Sequence, residues 1–211
     1  MEDEVKYTPA EEFANAFTHS IGALLSIYAI VMLAVNSHNP VEVASTAIFG
    51  ATLFILFQSS ALYHAMVNKT AKIVFQRIDH SAIFMLIAGT YTPILLLVVP
   101  FPLSVALLAM TWYLAITGII YSCIALKFKY LSTGLYLVMG WLSLFLVYSI
   151  WNNASHYAVW LLLGGGLLYS IGCVFYLIKG KFMHSIWHLF VIAGAMTHYL
   201  AIIEILKVVG D

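Results

Sequence analysis

Seven long apolar stretches constrain this chain more than any other feature of its sequence. They run approximately over Phe13–Val35, Val43–Met66, Ile78–Val99, Leu103–Ala125, Ser132–Trp151, Tyr157–Ile178 and His184–Leu206. Each is close to the ~20 residues that a helix needs to cross ~30 Å of hydrocarbon. Apolar runs of this length predict membrane-spanning helices. We therefore expect an all-α, polytopic membrane protein, a seven-transmembrane helix bundle that forms a single domain over residues 1–211.

The composition agrees with this class and excludes others. Hydrophobic residues make up 63% of the chain and charged residues 9%, whereas soluble domains have ~45–50% apolar and about 25% charged residues. The formal net charge is zero, so nothing indicates a nucleic-acid partner. Cys123 and Cys173 fall inside apolar stretches, and we expect buried thiols rather than a disulfide. The acidic start, "MEDEVKYTPAEE", lacks the basic region of a cleavable signal peptide.

The basic residues predict the orientation of the bundle. With seven crossings, all but one of them fall on the same side of the membrane, and the exception is Lys207. The others are Lys6, Lys69, Lys72, Arg77, Lys127, Lys129, Lys179 and Lys181. The positive-inside rule then places the N-terminus in the cytoplasm and the C-terminus outside, with the lysines acting as topology anchors. An even number of helices would spoil this separation, so the charges also support seven.

The stretch "HSIWHLF" carries two histidines, His184 and His188, at positions i and i+4. On a helix these residues share one face. Two aligned imidazoles in apolar surroundings fit a metal clamp, an interhelical hydrogen-bonding pair or half of a haem site. The haem interpretation is the weakest, because two histidines on one turn cannot bind opposite faces of one iron.

Rare polar side chains of four predicted helices meet at one membrane depth, on the cytoplasmic side. The first helix opens with "EEFANAFTH", the second closes with "SALYH", the third opens with "RIDHSAIF" and the seventh opens with "HSIWH". Ionisable groups inside membrane spans are costly, usually face the bundle interior and indicate function. Their shared depth is the main internal sign of a functional site.

These residue types suit zinc, which at catalytic sites typically has three protein ligands and water. The candidate ligands are the imidazoles of His64, His184 and His188. Asp79 would bind the metal directly or hold its water, and Ser60 would hydrogen-bond a ligand or a substrate. The polar residues of the first helix that would support the ligands are Glu12, Asn15 and His19.

Other interpretations of the same residues stay open. A lone His-x-x-x-His pair is more often an interhelical hydrogen-bonding pair than a metal site. Asp79 would alternatively pair with Arg77 or cap its helix, and Ser60 would serve close helix packing. Glu12 and Asn15 would then mark only the start of a helix at the interface.

Three further residue patterns predict packing rather than chemistry. Small residues in Gly164–Cys173 and in "MGWLSLF" predict close contacts between helices. His198 lies in the middle of a span, where we expect a hydrogen bond within the core. His80 points about 100° away from Asp79 on a helix, and we leave it out of the ligand set.

The motifs "EEFANAFTH", "SALYH", "RIDHSAIF", "AGTYTP", "MGW" and "HSIWH" closely resemble the bacterial haemolysin III family. That family is grouped with the progestin and adipoQ receptors and, more distantly, with the alkaline ceramidases. The zinc ligands that the resemblance implies are His64, His184 and His188. It also implies that Asp79 contacts the zinc through water, that Ser60 lies beside it, and that the chain is a lipid amidase like the relatives that act on ceramide.

Three functions from different classes fit the sequence. The first is a zinc-dependent hydrolase with a membrane lipid as substrate or ligand, in which Asp79 accepts a proton from water and Ser60 donates to the oxyanion. The second is a pore-forming cytolysin, which needs a continuous polar stripe, whereas the polar residues here cluster at one face. The third is a sensor of membrane state with a structural zinc, which predicts a closed site of four ligands.

Overall fold

The computed structural model describes residues 7–124 and 129–209 of the chain. Within these ranges, seven helices are long and apolar enough to cross a membrane. Numbered in chain order, they are α1 Pro9–Val35, α2 Pro40–Ala65, α3 Lys69–Val98, α4 Leu103–Ile124, α5 Tyr130–Asn153, α6 His156–Leu177 and α7 Met183–Val209. The described residues form no strand. The predicted all-α, multi-pass membrane fold is therefore confirmed.

Helix α1 begins at Pro9, before the predicted start at Phe13, because the preceding residues form a capping box. The Thr8 side chain accepts a hydrogen bond from the backbone N–H of Glu11, while the Thr8 N–H donates to the Glu11 carboxylate at 2.9 Å. These two bonds satisfy donors that a helix start leaves free, and proline suits the first helical position. The helix is thus already formed where its polar residues turn inward.

Helix α3 starts at Lys69, although we predicted a connecting segment up to Ile78. Its N-cap is Asn68, whose side chain accepts a hydrogen bond from the backbone N–H of Ala71 at 3.0 Å. Asp79 therefore lies more than two turns inside the helix, and the alternative that it caps the helix is wrong. The apolar pattern did not predict this extension, because charged residues interrupt the pattern here. A helix need not be apolar where it leaves the hydrocarbon region.

Helix α5 is interrupted in its middle, which the sequence pattern did not predict. An α-helical part, Lys129–Trp141, is followed by a 3₁₀ turn, Leu142–Leu146, and a second α-helical part, Val147–Asn153. The Tyr91 hydroxyl on α3 lies 3.0 and 2.9 Å from the carbonyl oxygens of Met139 and Gly140. Helices commonly change geometry where a side chain inserts into their backbone bonding.

Glycines of α6 allow this helix to pack closely against α7. A Cβ atom at Gly172 would lie 2.8 Å from the Cβ of Phe190, and one at Gly165 would collide with the His198 ring. The close packing predicted for this segment is confirmed. At Gly140, in contrast, nothing lies within 4 Å of the Cβ position, so the same prediction for "MGWLSLF" is wrong there.

Both cysteines are free, but they are not buried. Cys123 is exposed and Cys173 is half-buried, so the prediction of two buried thiols is wrong. The reason is that apolar neighbours imply burial only in a soluble protein, whereas a membrane helix also presents apolar residues to lipid.

Four helices share the apolar cluster that supports the polar end of the bundle. Residues of α1, α2, α3 and α7 contribute to it, and Phe49 of α2 is its largest fully buried side chain. Since successive helices run in opposite directions, the first turns of α1, α3 and α7 and the last turn of α2 meet at the same end. We call this the site end; α1 and α7, distant in sequence, are neighbours there.

Candidate metal centre

Three histidines meet at the site end of the bundle. His64 lies in the last turn of α2, and His184 and His188 lie in the first two turns of α7. One ring nitrogen of each lies within 4.8 Å of the corresponding nitrogens of the other two. His188 is fully buried, His64 is buried, and His184 is half-buried. The spacing and the donor type suit a single zinc ion bound by imidazoles.

In two of these rings, the Nδ1 atom contacts hydrogen-bond acceptors on α1. His64 Nδ1 lies 2.6 Å from Glu12 Oε2, and His188 Nδ1 lies 3.2 Å from the Asn15 carbonyl oxygen and 3.1 Å from Thr18 Oγ1. Carboxylate and carbonyl oxygens only accept, so both Nδ1 atoms carry the proton. Both Nε2 atoms then present lone pairs, and they are buried without a hydrogen-bond partner among the described residues. A bound metal would satisfy them.

Glu12 joins three helices through one carboxylate. Besides the bond to His64, its Oε1 accepts a hydrogen bond from Lys72 Nζ in the first turn of α3 at 2.6 Å. Glu12 thus does more than mark the start of a helix. Lys72, which we interpreted only as a topology anchor, belongs to the same network. This contact of Lys72 was not predicted, because the sequence pattern placed the residue in a connecting segment. It follows from the early start of α3 at Lys69.

The start of α7 is held against α1 by two further contacts. Ser185 donates to the Asn15 side-chain oxygen at 2.6 Å, and the Phe182 backbone N–H donates to Glu11 Oε1 at 3.0 Å. Sequence analysis missed Glu11, Ser185 and Thr18. The spacing of Thr18 from Asn15, three residues along one helix face, was the available signal.

Tyr7, just before α1, lies against the histidine cluster. Its ring centroid is 5.0 Å from that of His184 and 5.7 Å from that of His64. Burial raises the pKa of the Tyr7 hydroxyl, and the nearby carboxylates of Glu12 and Asp79 add to this. The phenol therefore stays neutral and covers the cluster. Sequence analysis missed it as well.

Asp79 and Ser60, the two candidate catalytic residues, are both buried at the site end. The Ser60 hydroxyl faces the Asp79 carboxylate, although no hydrogen bond of good geometry joins them. The carboxylate lies 3.8 Å from His80 Nδ1 rather than pairing with Arg77. Asp79 does not belong to the cluster of three histidines at the spacing given above, so its contact with a metal, direct or through water, stays a prediction.

His19 reaches the cluster by stacking instead of by hydrogen bonding. Its ring centroid lies 3.5 Å from that of His188, with an angle of 12° between the rings. Its other neighbour is Phe57, which packs edge-on at 5.1 Å. Of the three candidate supporting residues, Glu12 and Asn15 therefore hydrogen-bond the histidines, whereas His19 contacts one of them face to face.

An elongated cavity lies between the helices and reaches from the site end to the middle of the bundle. Asp79 and His19 line its polar end, and it continues along α3 as far as Ile94, about 22 Å at 1.5 Å per residue. Its volume is about 130 Å³, and its lining is mainly apolar. At its far end His198 lies 3.1 Å from the Leu162 carbonyl oxygen, the expected core hydrogen bond.

Residues 7–199 match the family model described as haemolysin-III related, a span that includes Tyr7, the histidine cluster and the cavity. The chain belongs to the haemolysin III family. It is 43% identical to the Hemolysin-3 homolog of Bacillus subtilis (strain 168), over 93% of this chain and 95% of that protein. It is 41% identical to Hemolysin-3 of Bacillus cereus, over 92% of this chain and 90% of that protein.

The haemolysin III relatives extend beyond bacteria. The chain is 33% identical to the Monocyte to macrophage differentiation factor of Homo sapiens, over 93% of this chain and 86% of that protein. The resemblance predicted from the motifs is confirmed, and with it a multi-pass membrane protein. For a haemolysin III family member in a bacterium, the usual location is the plasma membrane.

Proposed function

We propose that this haemolysin III family protein is a zinc-dependent hydrolase of a lipid amide or ester. One observation carries the proposal. Three imidazoles converge beside the end of an apolar cavity that Asp79 and His19 line, where His19 stacks on His188, and the inward nitrogens of His64 and His188 have no hydrogen-bond partner among the described residues. A metal site beside an apolar cavity suits a zinc-dependent hydrolase whose substrate is a membrane lipid.

His64, His184 and His188 would hold the zinc. When bound, zinc polarises a carbonyl and lowers the pKa of bound water to about 7. Glu12 and the Asn15 carbonyl keep the Nδ1 protons of His64 and His188 in place, so that the Nε2 lone pairs point inward. Such supporting contacts are typically worth 10–100-fold in metal affinity or activity.

Asp79 and Ser60 would act on the substrate side of the site. The Asp79 carboxylate orients the attacking water and takes its proton, as a general base does. The Ser60 hydroxyl donates to the carbonyl oxygen as negative charge develops on it. The apolar lining of the cavity receives the acyl chain along α3 and keeps bulk water away from the reacting bond.

We also propose that the site end faces the cytoplasm. Lys69 and Lys72 lie at this end with Lys179 and Lys181, and Lys207 lies at the opposite end. This asymmetry follows the positive-inside rule. Further evidence from charge would come from Lys6, Lys127 and the Lys129 side chain, which lie outside the described residues. A substrate would then enter from the inner leaflet.

Cysteine labelling tests the orientation. Single cysteines placed at Lys69 and Lys181 should react with a membrane-impermeant maleimide only after the cells are opened, while one at Lys207 should react in intact cells. Cys123 and Cys173 are first replaced by serine to remove background. Labelling of Lys69→Cys in intact cells would reverse the orientation and move the site to the outer face.

A pore receives less support than a hydrolase. Haemolysis is named for two of the Bacillus relatives, and a pore needs a polar path across the whole membrane. Here the cavity lining beyond Asp79 and His19 is mainly apolar. A closed structural zinc site is likewise less well supported, because the cluster among the described residues has three ligands and not four.

Lipid turnover with measured zinc content tests the function. Purified protein in nanodiscs is incubated with a long-chain N-acyl amide and with a phospholipid ester, and released fatty acid is quantified by mass spectrometry. We expect turnover of at least one lipid, its loss on chelation and its recovery on addition of zinc. If no lipid is cleaved while chelation lowers the melting temperature of the bundle, the zinc is structural and the hydrolase proposal fails.

A further inference from the structure

Polar groups return to the cavity wall at its far end, in the middle of the bundle. There His198 of α7 and Tyr169 of α6 line the cavity, and both side chains are half-buried. His198 lies ten residues beyond His188, about 15 Å further along α7 at 1.5 Å per residue. Ionisable groups inside a membrane helix are costly and usually indicate function. This pair therefore needs an explanation of its own, separate from the metal centre.

The hydrogen bond of His198 decides what its ring offers to a ligand. Its Nε2 lies 3.1 Å from the Leu162 carbonyl oxygen, which only accepts, so Nε2 carries the proton and Nδ1 carries a lone pair. The same edge of the ring packs on α6, where a Cβ at Gly165 would collide with Cδ2 and Nε2. Nδ1 lies on the other edge. It has no hydrogen-bond partner within the described part of the chain, and the protein does not enclose it as it encloses the nitrogens of His19.

Tyr169 supplies a second polar atom beside His198. The two rings meet edge to face, with centroids 5.3 Å apart and an angle of 67° between them. The Tyr169 ring rests on Gly194 of α7, where a Cβ would lie 3.0 Å from the ring. These contacts hold the ring in place. Its hydroxyl, which can donate and accept, makes no hydrogen bond to the described residues and is not enclosed.

The neighbouring polar groups of the wall use their hydrogens within the protein. The hydroxyls of Thr90 and Ser170 donate to backbone carbonyls of their own helices, both at 2.8 Å. Trp141 Nε1 donates to Ser170 at 3.0 Å, and Tyr91 donates to the two carbonyls of α5 described above. The Ser143 hydroxyl faces the Tyr91 oxygen. A ligand at this depth therefore finds its free acceptor in His198 and its free donor in Tyr169.

We propose that His198 and Tyr169 form a second binding site, for a hydroxyl group in the middle of the acyl chain of a lipid. The hydroxyl donates to Nδ1 of His198, and its oxygen accepts from Tyr169. A keto group only accepts, so it would leave the lone pair of Nδ1 unsatisfied, and a plain alkyl chain would leave both groups unsatisfied. The inference deepens the proposed function by naming the class of lipid. It rests on that function only for which end of the lipid lies at the metal.

Three fatty acids that contain no bond to hydrolyse test the site. In 12-hydroxyoctadecanoic acid and 12-oxooctadecanoic acid the same carbon carries a donor or only an acceptor, whereas 3-hydroxyoctadecanoic acid carries its hydroxyl near the carboxyl end. Their dissociation constants for the purified protein in detergent are measured with tritiated ligands by scintillation proximity. We expect the wild type to bind the 12-hydroxy acid about tenfold more tightly than either of the others, the typical effect of one satisfied buried hydrogen bond.

Four variants separate the two contacts. His198→Phe should lose the preference for the 12-hydroxy over the 12-oxo acid, and His198→Gln should recover part of it, because its amide donates to Leu162 and offers an oxygen to the ligand. Tyr169→Phe removes a donor that serves both acids, so both should bind more weakly with the preference kept. The matched control is Thr90→Val on the same wall, which should change neither affinity. The melting temperature of each variant verifies that it is folded.

The outcomes distinguish this inference from the proposed function. Equal binding of the 12-hydroxy and 12-oxo acids by the wild type would overturn the inference, as would a preference that survives in His198→Phe and His198→Gln. Equal binding of the 3-hydroxy acid would move the contact to the site end and also overturn it. The preference should persist after zinc is removed. If no lipid is cleaved but the preference depends on His198, the hydrolase proposal fails and the second site stands; cleavage without a preference gives the reverse result.

Discussion

Two glutamates at opposite ends of the bundle show two different uses of a carboxylate. Glu42, in the first turn of α2, accepts hydrogen bonds from the His38 backbone N–H and from the Asn39 side chain, both at 2.6 Å. These partners are three and four residues away, so the carboxylate completes the start of its own helix. Glu12 instead bonds His64 of α2 and Lys72 of α3 at the same distance. It aligns side chains of other helices.

The two ends also differ in what is left unsatisfied. Both Glu42 oxygens have partners, whereas at the site end ring nitrogens of His19, His64 and His188 have none within the part of the chain that the structure describes. Folding favours satisfied polar groups, so a satisfied cluster is accounted for by stability alone. A cluster of three imidazoles with unsatisfied nitrogens is better explained by a bound ligand than by stability. We infer from this contrast that the end opposite the site end stabilises its own helix, whereas the site end binds a ligand.

The largest effect is expected for the most buried histidine of the cluster. Wild-type protein should hold about one zinc per chain, by the logic of a three-ligand site. His188→Ala removes one of the three ligands and should reduce the zinc to near zero. Elemental analysis of purified protein measures this. The control is His156→Ala, at the opposite end of the bundle, which should keep its zinc; equal contents in the two variants would reject the assignment.

Asp79→Asn should separate chemistry from metal binding. The amide keeps the shape of the carboxylate but cannot take a proton, so lipid hydrolysis should fall by ~10²–10⁴-fold. Zinc content and melting temperature should stay close to those of the wild type. Turnover and zinc are measured on the same nanodisc sample. Full activity in this variant would remove Asp79 from the mechanism.

The two glutamates give a direct test of the comparison. Glu12→Gln weakens the contact that orients His64 and should lower zinc affinity or activity by 10–100-fold. Glu42→Gln should leave zinc affinity unchanged and lower the free energy of unfolding by about 1–3 kcal/mol, because hydrogen bonds to a charged acceptor are lost. Competition with a zinc chelator and thermal melting measure both variants. Similar zinc affinities in Glu12→Gln and Glu42→Gln would contradict the distinction between the site end and the opposite end of the bundle.

Lys72→Met should have the smallest effect. The Lys72 side chain is 30% exposed, and ion pairs with such exposure contribute about 0–1 kcal/mol. Glu12 keeps its bond to His64 without it, so zinc affinity should fall by no more than about fivefold. The same chelator competition measures it. A loss as large as that of Glu12→Gln would show that the lysine, and not the carboxylate, controls the site.

The number and order of the helices were predictable because crossing the hydrocarbon requires long apolar runs. Their ends were less predictable, since capping and not hydrophobicity decides them. Thr8 and Asn68 each start a helix earlier than the apolar pattern indicates. The interruption of α5 depends on Tyr91, a residue of another helix, and no pattern within α5 reveals such a contact.

The sequence predicts those features of the candidate site that follow from the membrane depth of each residue along its helix. Depth alone indicated that His64 belongs beside His184 and His188, and the structure brings the three together. The residues that surround and orient these histidines were only partly predictable. Tyr7 precedes the first helix, and Lys72 lay in a segment predicted as a loop. Which ring nitrogens have hydrogen-bond partners depends on tertiary contacts, so the stacking of His19 on His188 was not predictable from the sequence.

Anomalous scattering at the zinc absorption edge is the most direct test of the central claim. Crystals of the zinc-loaded protein are measured above and below the edge, and the anomalous difference map locates the metal without reference to any assumed ligand. The account predicts one strong peak per chain, within bonding distance of His64, His184 and His188 and at the polar end of the cavity. A peak at another place, or none at these histidines in protein supplied with zinc, would contradict it.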